Sequence, residues 1–190
     1  MKTMNFAKAG KEIKEFDKKR EKLIKKSHGF ISLTKQVIYA LHRDDMKRAS
    51  SLLNDLKKDF SAIARSIKDC PALYYSGIYR TMVQEYIEAV SYHDFVKTAR
   101  LAECTEKAVM GEHYLLGICD LTGELVRKAV SSAIRGDYDS PVRIRDFVAD
   151  IYGRLLNIDF RGGELRKKSD EVRYNLKKLE DLVLDIKLKR

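Results

Sequence analysis

Residues 113–136 read HYLLGICDLTGELVRKAVSSAIRG, and this stretch decides the fold class. Its apolar side chains recur every three or four residues instead of alternating, which is the spacing of one face of an α-helix. Gly136 and the turn-forming residues that follow it, DYDSP, predict the end of that helix. The same spacing extends over most of the chain, which contains only two prolines, so we predict an all-α protein.

Breaks in the apolar pattern divide the chain into long helices. The predicted helices span about residues 6–43, 44–70, 72–100, 112–136, 142–158 and 164–190. The chain shows no internal repeat or flexible linker, and 190 residues are enough for one core but too few for two comfortable ones. We therefore expect one domain, residues 1–190, folded as a bundle of six to seven long helices.

Positive charge is concentrated near the amino terminus. The whole chain has a net charge of +10, and residues 1–43 contain twelve Lys and Arg against four Asp and Glu. Such a concentration favours a polyanionic partner, either nucleic acid or an anionic membrane surface, although basic helix faces are often only solvated. No stretch is long and apolar enough for a signal peptide or a membrane span, so we expect a cytoplasmic protein.

The three cysteines offer little chemistry. Cys70, Cys104 and Cys119 are odd in number, lack C-x-x-C spacing and have no paired histidines nearby in sequence. This pattern favours neither a disulfide framework nor a zinc site, so buried thiols are the better interpretation.

Two like-charged carboxylate pairs lie within the most apolar stretches. Glu85 and Glu88 are three residues apart, and Asp120 and Glu124 are four apart, so each pair projects from one helix face. The surrounding segments, residues 81–96 and 112–126, contain no Lys or Arg. Carboxylates among apolar residues either raise their pKa values or bind a cation, and four oxygen donors suit Mg²⁺ or Mn²⁺.

Other interpretations of these acids stay open at this point. Glu124 could pair with Arg127 or Lys128, while the glutamates of the other pair could reach solvent. A di-iron site would need Glu-x-x-His, but Ser91 stands three residues after Glu88. The small residues Gly117 and Gly123 beside the acidic strip favour a ligand, because they are expected to leave room for its approach.

A bound Mg²⁺ together with a nucleic-acid partner would predict phosphodiester hydrolysis. The cation would polarise a phosphoryl oxygen and activate a water, and the lysines would hold the backbone. The phosphate-binding candidates are basic residues of the first and third helices; they are Lys18, Lys19, Arg20, Lys22, Lys25, Lys26, Arg80, Lys97 and Arg100.

Several aromatic and histidine side chains are weaker candidates. His93 and His113 could carry protons, although a structural role is more common for a histidine on an apolar helix. Tyr74, Tyr75 and Tyr79 could stack on bases, but tyrosines at this density usually belong to a core or a subunit interface.

Long segments of the sequence resemble the translin superfamily, and within it the Trax (translin-associated factor X) branch. They are DKKREKLIKKSHGFISLTKQVIYALHR (17–43), QEYIEAVSYHDFVKT (84–98), HYLLGICDLTGELVRKAVSSAIRGDYDSP (113–141) and LRKKSDEVRYNLKKLEDLVLDIKLK (165–189). The resemblance implies a helical subunit of a closed octameric shell that handles RNA in its interior. Trax is the catalytic, Mg²⁺-dependent endoribonuclease that joins translin in eukaryotes to process passenger strands and transfer-RNA fragments.

The family's catalytic carboxylates fall on QExxE and DLTGE, which here are Glu85, Glu88, Asp120 and Glu124. The resemblance thus implies a nuclease of single-stranded RNA, with double-stranded RNA and single-stranded DNA as further candidate ligands. The competing hypothesis is a translin-like binding shell without turnover. Eukaryotic Trax has an insertion where this chain has only AECTEKAVMGE (102–112), which suggests a minimal homologue, and a single chain without a translin partner suggests a homo-octamer.

Overall fold

The structure is a computed structural model that describes residues 5–101 and 103–189 as a bundle of long helices. In chain order the helices are α1 (Phe6–His42), α2 (Met46–Ile67), α3 (Gly77–Thr98), α4 (Gly111–Ile134), α5 (Asp139–Leu156) and α6 (Gly163–Leu188). Six α-helices, without a strand in the described part of the chain, confirm the predicted fold class. Residues 1–4, Ala102 and Arg190, which the predicted domain includes, lie outside the described residues.

Side-chain caps fix where several helices begin. Asn5 accepts a hydrogen bond from the backbone N–H of Lys8 (2.9 Å) at the start of α1, and Asp45 accepts one from Arg48 at the start of α2 (3.0 Å). Each cap satisfies a backbone donor that has no partner within its helix. The predicted start at Asp44 and Asp45 agrees with this arrangement.

The predicted helix over residues 72–100 is divided in the structure. Pro71–Tyr75 form a short 3-10 helix, and α3 begins only at Gly77. Ser76 separates the two because its backbone is extended and its hydroxyl accepts the N–H of Tyr79 (3.4 Å). A serine in this geometry starts a helix. The carboxyl-terminal end of α3 is close to the predicted end at residue 100, since the helix stops where Ala99 adopts a left-handed conformation (φ 54°).

The helices pack in an order that places α3 and α4 at the centre. α1 contacts α2 and α3, α3 contacts α4, and α6 packs against both α4 and α5. One face of α1 is apolar and buried, with Phe30 among its side chains, and in the core Phe60 stacks on Tyr86 with ring centroids 4.2 Å apart. Such stacked aromatic pairs stabilise a core beyond the area that they bury.

Gly117 has a different role from the one predicted. A Cβ atom at this position would lie 2.7 Å from both the Gln84 carbonyl oxygen and the Ile87 Cβ, so the glycine lets α3 approach α4 closely. At Gly123 the nearest atom is 3.9 Å away, on Asn175 of α6. Gly117 therefore opens no space for a ligand, because α3 occupies it, and the expectation of room was wrong at that position.

The surface of the bundle is strongly charged, especially along the amino-terminal half of α1. We call the residues Lys18, Lys19, Arg20, Lys22, Lys25 and Lys26 the basic stretch; Lys19 is partly buried and the other five are exposed. Among the described residues, no helix combines the length and apolar character that crossing a membrane requires.

Candidate functional site

The two predicted carboxylate pairs meet in one cleft. Its volume is about 460 Å³, and we call it the carboxylate cleft. α3 and α4 supply the four acids, while the carboxyl-terminal half of α1 supplies most of the remaining wall. Its lining residues are Lys35, Ile38, Tyr39, His42, Glu85, Glu88, Asp120, Glu124 and Arg127. Because α3 and α4 cross closely at Gly117, acids that are 35 or so residues apart in sequence share this space.

Burial and mutual repulsion perturb the acids of α3. Burial is the main cause that raises the pKa of Glu88, to about 8, and the nearby charges of Asp120 and Glu85 add to it. Burial also raises the pKa of Glu85, although the charge of Lys35 and a hydrogen bond from Thr34 (3.3 Å) oppose the shift. The two glutamates therefore do not simply extend into solvent, and they favour an added positive charge.

Asp120 is partnered by a lysine from α6. The ammonium nitrogen of Lys168 lies 2.8 Å from Asp120 Oδ1 and 3.1 Å from Glu171 Oε2. Burial nevertheless raises the pKa of Asp120, because the lysine only partly offsets the loss of hydration. Lys168 is thus a positive charge beside the cleft that came from a distant part of the sequence.

Glu124 is held by two basic side chains. Arg127 donates from one guanidinium nitrogen to both carboxylate oxygens (3.0 and 2.9 Å), which confirms the Arg127 pairing among the sequence alternatives. Lys128 instead pairs with Asp44. Burial alone would raise the pKa of Glu124, but the hydrogen bond from His42 and the charge of Arg127 lower it overall.

His42 connects Glu124 to a buried tyrosine. Its Nε2 is hydrogen-bonded to Glu124 Oε2, and its Nδ1 lies 3.1 Å from the hydroxyl of Tyr92. An ionised carboxylate only accepts hydrogen bonds, so Nε2 carries a proton, and in the neutral ring Nδ1 accepts from Tyr92. The ring is therefore oriented from both sides, which keeps its position at the wall of the cleft.

The four acids suit a hard divalent cation by type, but Asp120 and Glu124 are engaged in ion pairs with neighbouring side chains. Among residues 5–101 and 103–189, no three His, Cys, Asp or Glu side chains are gathered in metal-holding geometry. The reason is visible at two of them, since Asp120 turns toward Lys168 and Glu124 toward His42 and Arg127. Carboxylate oxygens are the preferred donors for Mg²⁺, and burial that neighbouring positive charge does not fully offset raises the pKa of Glu85, Glu88 and Asp120.

The family model described as "Translin family" matches residues 18–190, and thus covers every residue that lines the cleft. The chain belongs to the Translin family. Mouse Translin-associated protein X is 27% identical over an alignment of 212 residues that covers 90% of this chain and 73% of the mouse protein. That alignment is longer than this chain, so the mouse protein contains residues that are missing here.

Solved structures show the same fold as this Translin-family chain. The crystal structure of apo-NeC3PO superposes with a TM-score of 0.85 at 26% identity, covering 97% of this chain and 98% of that one. The structure of AfC3PO in complex with duplex RNA gives a TM-score of 0.87 at 22% identity, with 98% of both chains covered. The predicted translin-like fold and the resemblance to Trax are confirmed.

The predicted phosphate-binding residues of this Translin-family chain lie outside the carboxylate cleft. Lys19 pairs with Asp69 (2.7 Å), and Arg80 pairs with Glu164 (2.9 Å). Lys97 and Arg100 are exposed at the carboxyl-terminal end of α3. Lys26 precedes Lys35 by nine residues, about 13 Å along α1. The basic stretch therefore lies on the same helix as the α1 residues that line the cleft. A role in nucleic-acid binding stays a prediction for all nine residues.

The remaining histidine and tyrosine candidates have mostly structural surroundings. His93 is buried and bonded to the Ser50 hydroxyl (3.0 Å), and His113 is buried with a pKa that burial lowers. Tyr79 is fully buried and donates to the Ala108 carbonyl (2.8 Å), whereas 76% of Tyr75 is exposed. His42, by contrast, lines the cleft, and the sequence did not predict this role. It is remote from the acids in sequence, and nothing marks it except its position as the last residue of α1.

Proposed function

We propose that this protein is a Mg²⁺-dependent endoribonuclease that cleaves single-stranded RNA as part of an oligomer. The observation that carries this proposal is the convergence of Glu85, Glu88, Asp120 and Glu124 on one cleft, where burial raises the pKa of three of the four. Buried acids with too little compensating charge are characteristic of functional sites.

The four carboxylates would hold Mg²⁺, or Mn²⁺ in its place. Such a cation supplies electrostatic stabilisation of phosphoryl oxygens and activation of a water for in-line attack. Within the described part of the chain, no basic side chain forms an ion pair with either α3 glutamate, so one of them is suited to accept the proton of the attacking water. Occupation of the cleft would require Asp120 and Glu124 to loosen their present ion pairs.

Basic side chains at the rim would position the RNA backbone. Arg127 is bound to Glu124, yet 64% of its side chain is exposed, and Lys35 lines the same opening from α1. Both can donate to phosphate oxygens without entering the acidic centre. The net charge of +10 and the basic stretch would add sequence-independent attraction for the polyanion.

Assembly follows as a second part of the proposal. The family resemblance supports a homo-octamer, which sedimentation velocity of the purified chain would test directly. AfC3PO has been described with duplex RNA, but at 22% identity that likeness supports only a shared fold. Single-stranded RNA is therefore the first ligand to test, with duplex RNA and single-stranded DNA as comparisons.

The experiment is cleavage of an end-labelled single-stranded RNA with Mg²⁺, and with Mg²⁺ plus excess EDTA. We expect fragments that disappear with EDTA. Asp120→Ala and Glu124→Ala should fold and bind RNA but lose cleavage, whereas Glu180→Gln, an exposed acid on α6, should cleave normally. Full cleavage by both cleft variants would contradict the proposal.

The alternative is a translin-like oligomer that binds single-stranded RNA or DNA without turnover. The ion pairs that occupy Asp120 and Glu124 favour it, because they already compensate two of the four acids without a metal. Under this alternative the RNA shifts in a gel but stays intact with or without EDTA, and the acids serve the stability of the fold.

A further inference from the structure

Three side chains form a stripe along the carboxyl-terminal end of α1 and its C-cap residue, beside the carboxylate cleft. Lys35, Tyr39 and Arg43 follow one another at intervals of four residues, so they lie one above the other on the same helix face. Lys35 and Tyr39 line the carboxylate cleft. The same two residues, with Arg43, also line a second depression of about 390 Å³, whose remaining lining residues differ from those of the cleft. The stripe is therefore a ridge between the acids and a neighbouring groove.

Tyr39 differs from the tyrosines of the core. It is 60% exposed, whereas Tyr79, Tyr86 and Tyr92 are almost completely buried. The guanidinium carbon of Arg43 lies 5.8 Å from the centroid of the Tyr39 ring, and Arg43 Nη1 donates a hydrogen bond to the Tyr39 hydroxyl at 3.4 Å. A ring covered on both faces could not remain 60% exposed, so one face of Tyr39 is available while Arg43 steadies the other.

We propose that Tyr39, supported by Arg43, is a base-stacking subsite for an unpaired nucleobase next to the phosphate that enters the carboxylate cleft. The inference rests on the proposed function for the identity of the ligand. The ridge alternates cation, ring and cation, which matches the alternation of phosphate and base along a single strand. Lys35 and Arg43 contact successive phosphates, and the ring takes the base between them.

The arrangement also makes this subsite prefer the bases of single-stranded RNA to those of a duplex. In a duplex both faces of a base are covered by its neighbours, so stacking on Tyr39 needs a base that is already unstacked or cheap to unstack. The subsite is chemically indifferent to which base it holds, because every base has a π-face. It selects strandedness and sets which phosphate reaches the acids.

The test uses the full-length protein in EDTA, so that binding is measured without cleavage. Single-stranded RNAs carry 2-aminopurine at one position in turn, and their fluorescence and affinity are compared for wild type, Tyr39→Phe and Tyr39→Leu. We expect quenching at defined positions with wild type and Tyr39→Phe, and its loss with Tyr39→Leu together with roughly 5- to 150-fold weaker binding. An abasic site at a quenched position should remove the difference between wild type and Tyr39→Leu.

Tyr174→Leu is the matched control, since Tyr174 is 66% exposed on α6 and does not border the cleft. It should quench and bind as wild type does. Tyr39→Leu that quenches like wild type, or Tyr39→Phe that fails like Tyr39→Leu, would overturn the stacking subsite. A smaller assembly of Tyr39→Leu in size-exclusion chromatography would also overturn it by assigning the ring to a subunit contact.

The outcome is separable from the proposed nuclease activity. Tyr39-dependent quenching in a protein that never cleaves RNA with Mg²⁺ would leave the subsite in place and remove the nuclease. Mg²⁺-dependent cleavage with no effect of Tyr39→Leu on quenching or affinity would support the nuclease and remove the stacking subsite.

Discussion

The carboxylate cleft and the basic stretch both concentrate charge, but they are built differently. The cleft gathers acids from α3 and α4 beside bases from α1, α4 and α6, and burial raises the pKa of three of the four acids. The basic stretch lies on one helix, its lysines and arginine are mostly exposed, and Lys19 makes its ion pair with an exposed aspartate. Convergence of several helices produces perturbed acids that suit chemistry, whereas exposed charge on one helix suits attraction of a polyanion.

The sharpest test of this comparison is a substitution that keeps the shape of the cleft and removes one charge. Glu124→Gln should lower the single-turnover cleavage rate by roughly 10²- to 10⁴-fold, because the proposed mechanism assigns this carboxylate to the metal. RNA affinity should stay within about threefold, since the exposed lysines are untouched. Rates are measured at saturating protein with Mg²⁺, beside Glu180→Gln, and equal rates for the two variants would break the distinction.

Neutralising the basic stretch should give the opposite pattern. Replacement of Lys18, Lys22, Lys25 and Lys26 by Gln is expected to weaken RNA binding by roughly 10- to 100-fold for every sequence tested. The dependence of log K on log salt should also become shallower, by up to about 0.7 for each lost phosphate contact. Titrations at several salt concentrations measure both quantities.

The control for the lysine variant is the cleavage rate of RNA that is already bound. At saturating protein this rate should equal that of wild type, because the lysines lie outside the cleft. A lower rate at saturation would mean that the basic stretch also positions the scissile phosphate, and the two regions would no longer be separable.

The pH dependence of the free energy of unfolding offers a third way to compare the two regions. Burial raises the pKa of Glu88 from 4.5 to about 8, so the folded protein binds a proton there that the unfolded chain releases. Its contribution to the free energy of unfolding is therefore fully present below about pH 4.5 and is lost as the pH rises to about 8. Relative to wild type, Glu88→Gln should become progressively more stable over this range, by roughly a few kcal/mol.

Urea unfolding from pH 5 to 9 in EDTA measures this difference. Glu85 and Asp120 shift in the same direction and Glu124 in the opposite one, so only the difference between wild type and Glu88→Gln isolates Glu88. The stabilisation of wild type by added Mg²⁺ should increase from pH 5 to pH 9, because protons compete less for the acids as the pH rises. Parallel pH profiles for the two proteins would show that Glu88 is not perturbed.

Much of the helical framework could be predicted because it depends on local sequence patterns. The three- and four-residue spacing gave the helices to within a few residues, and the carboxylate pairs stood out because no base lay between them in sequence. The division at Ser76 was missed because the apolar spacing continues across it, while the cap depends on one serine hydroxyl.

The rest of the site depends on which helices meet, and no local pattern contains that information. His42 and Lys168 come from α1 and α6, far from the acids in sequence, so only the fold brings them to Glu124 and Asp120. Gly117 was misread for the same reason, since a small residue beside acids looks like space until the neighbouring helix is placed. Tyr39 carried no signal beyond being one of ten tyrosines.

The smallest expected effect tests whether the cleft depends on how closely α3 and α4 approach. Gly117→Ala would place a methyl group 2.7 Å from the Gln84 carbonyl and Ile87, which forces the helices apart and should cost about 1–3 kcal/mol in unfolding free energy. Gly123→Ala, on the same helix with its nearest neighbour 3.9 Å away, should be neutral or gain up to about 1 kcal/mol from better helix propensity. Because the cleft takes its acids from both helices, only Gly117→Ala should also slow cleavage, whereas neither variant should change the salt dependence of RNA binding, a property of the exposed lysines. Urea unfolding and single-turnover cleavage of both variants decide this, and equal losses in the two would mean that the α3–α4 crossing does not set the geometry of the acids.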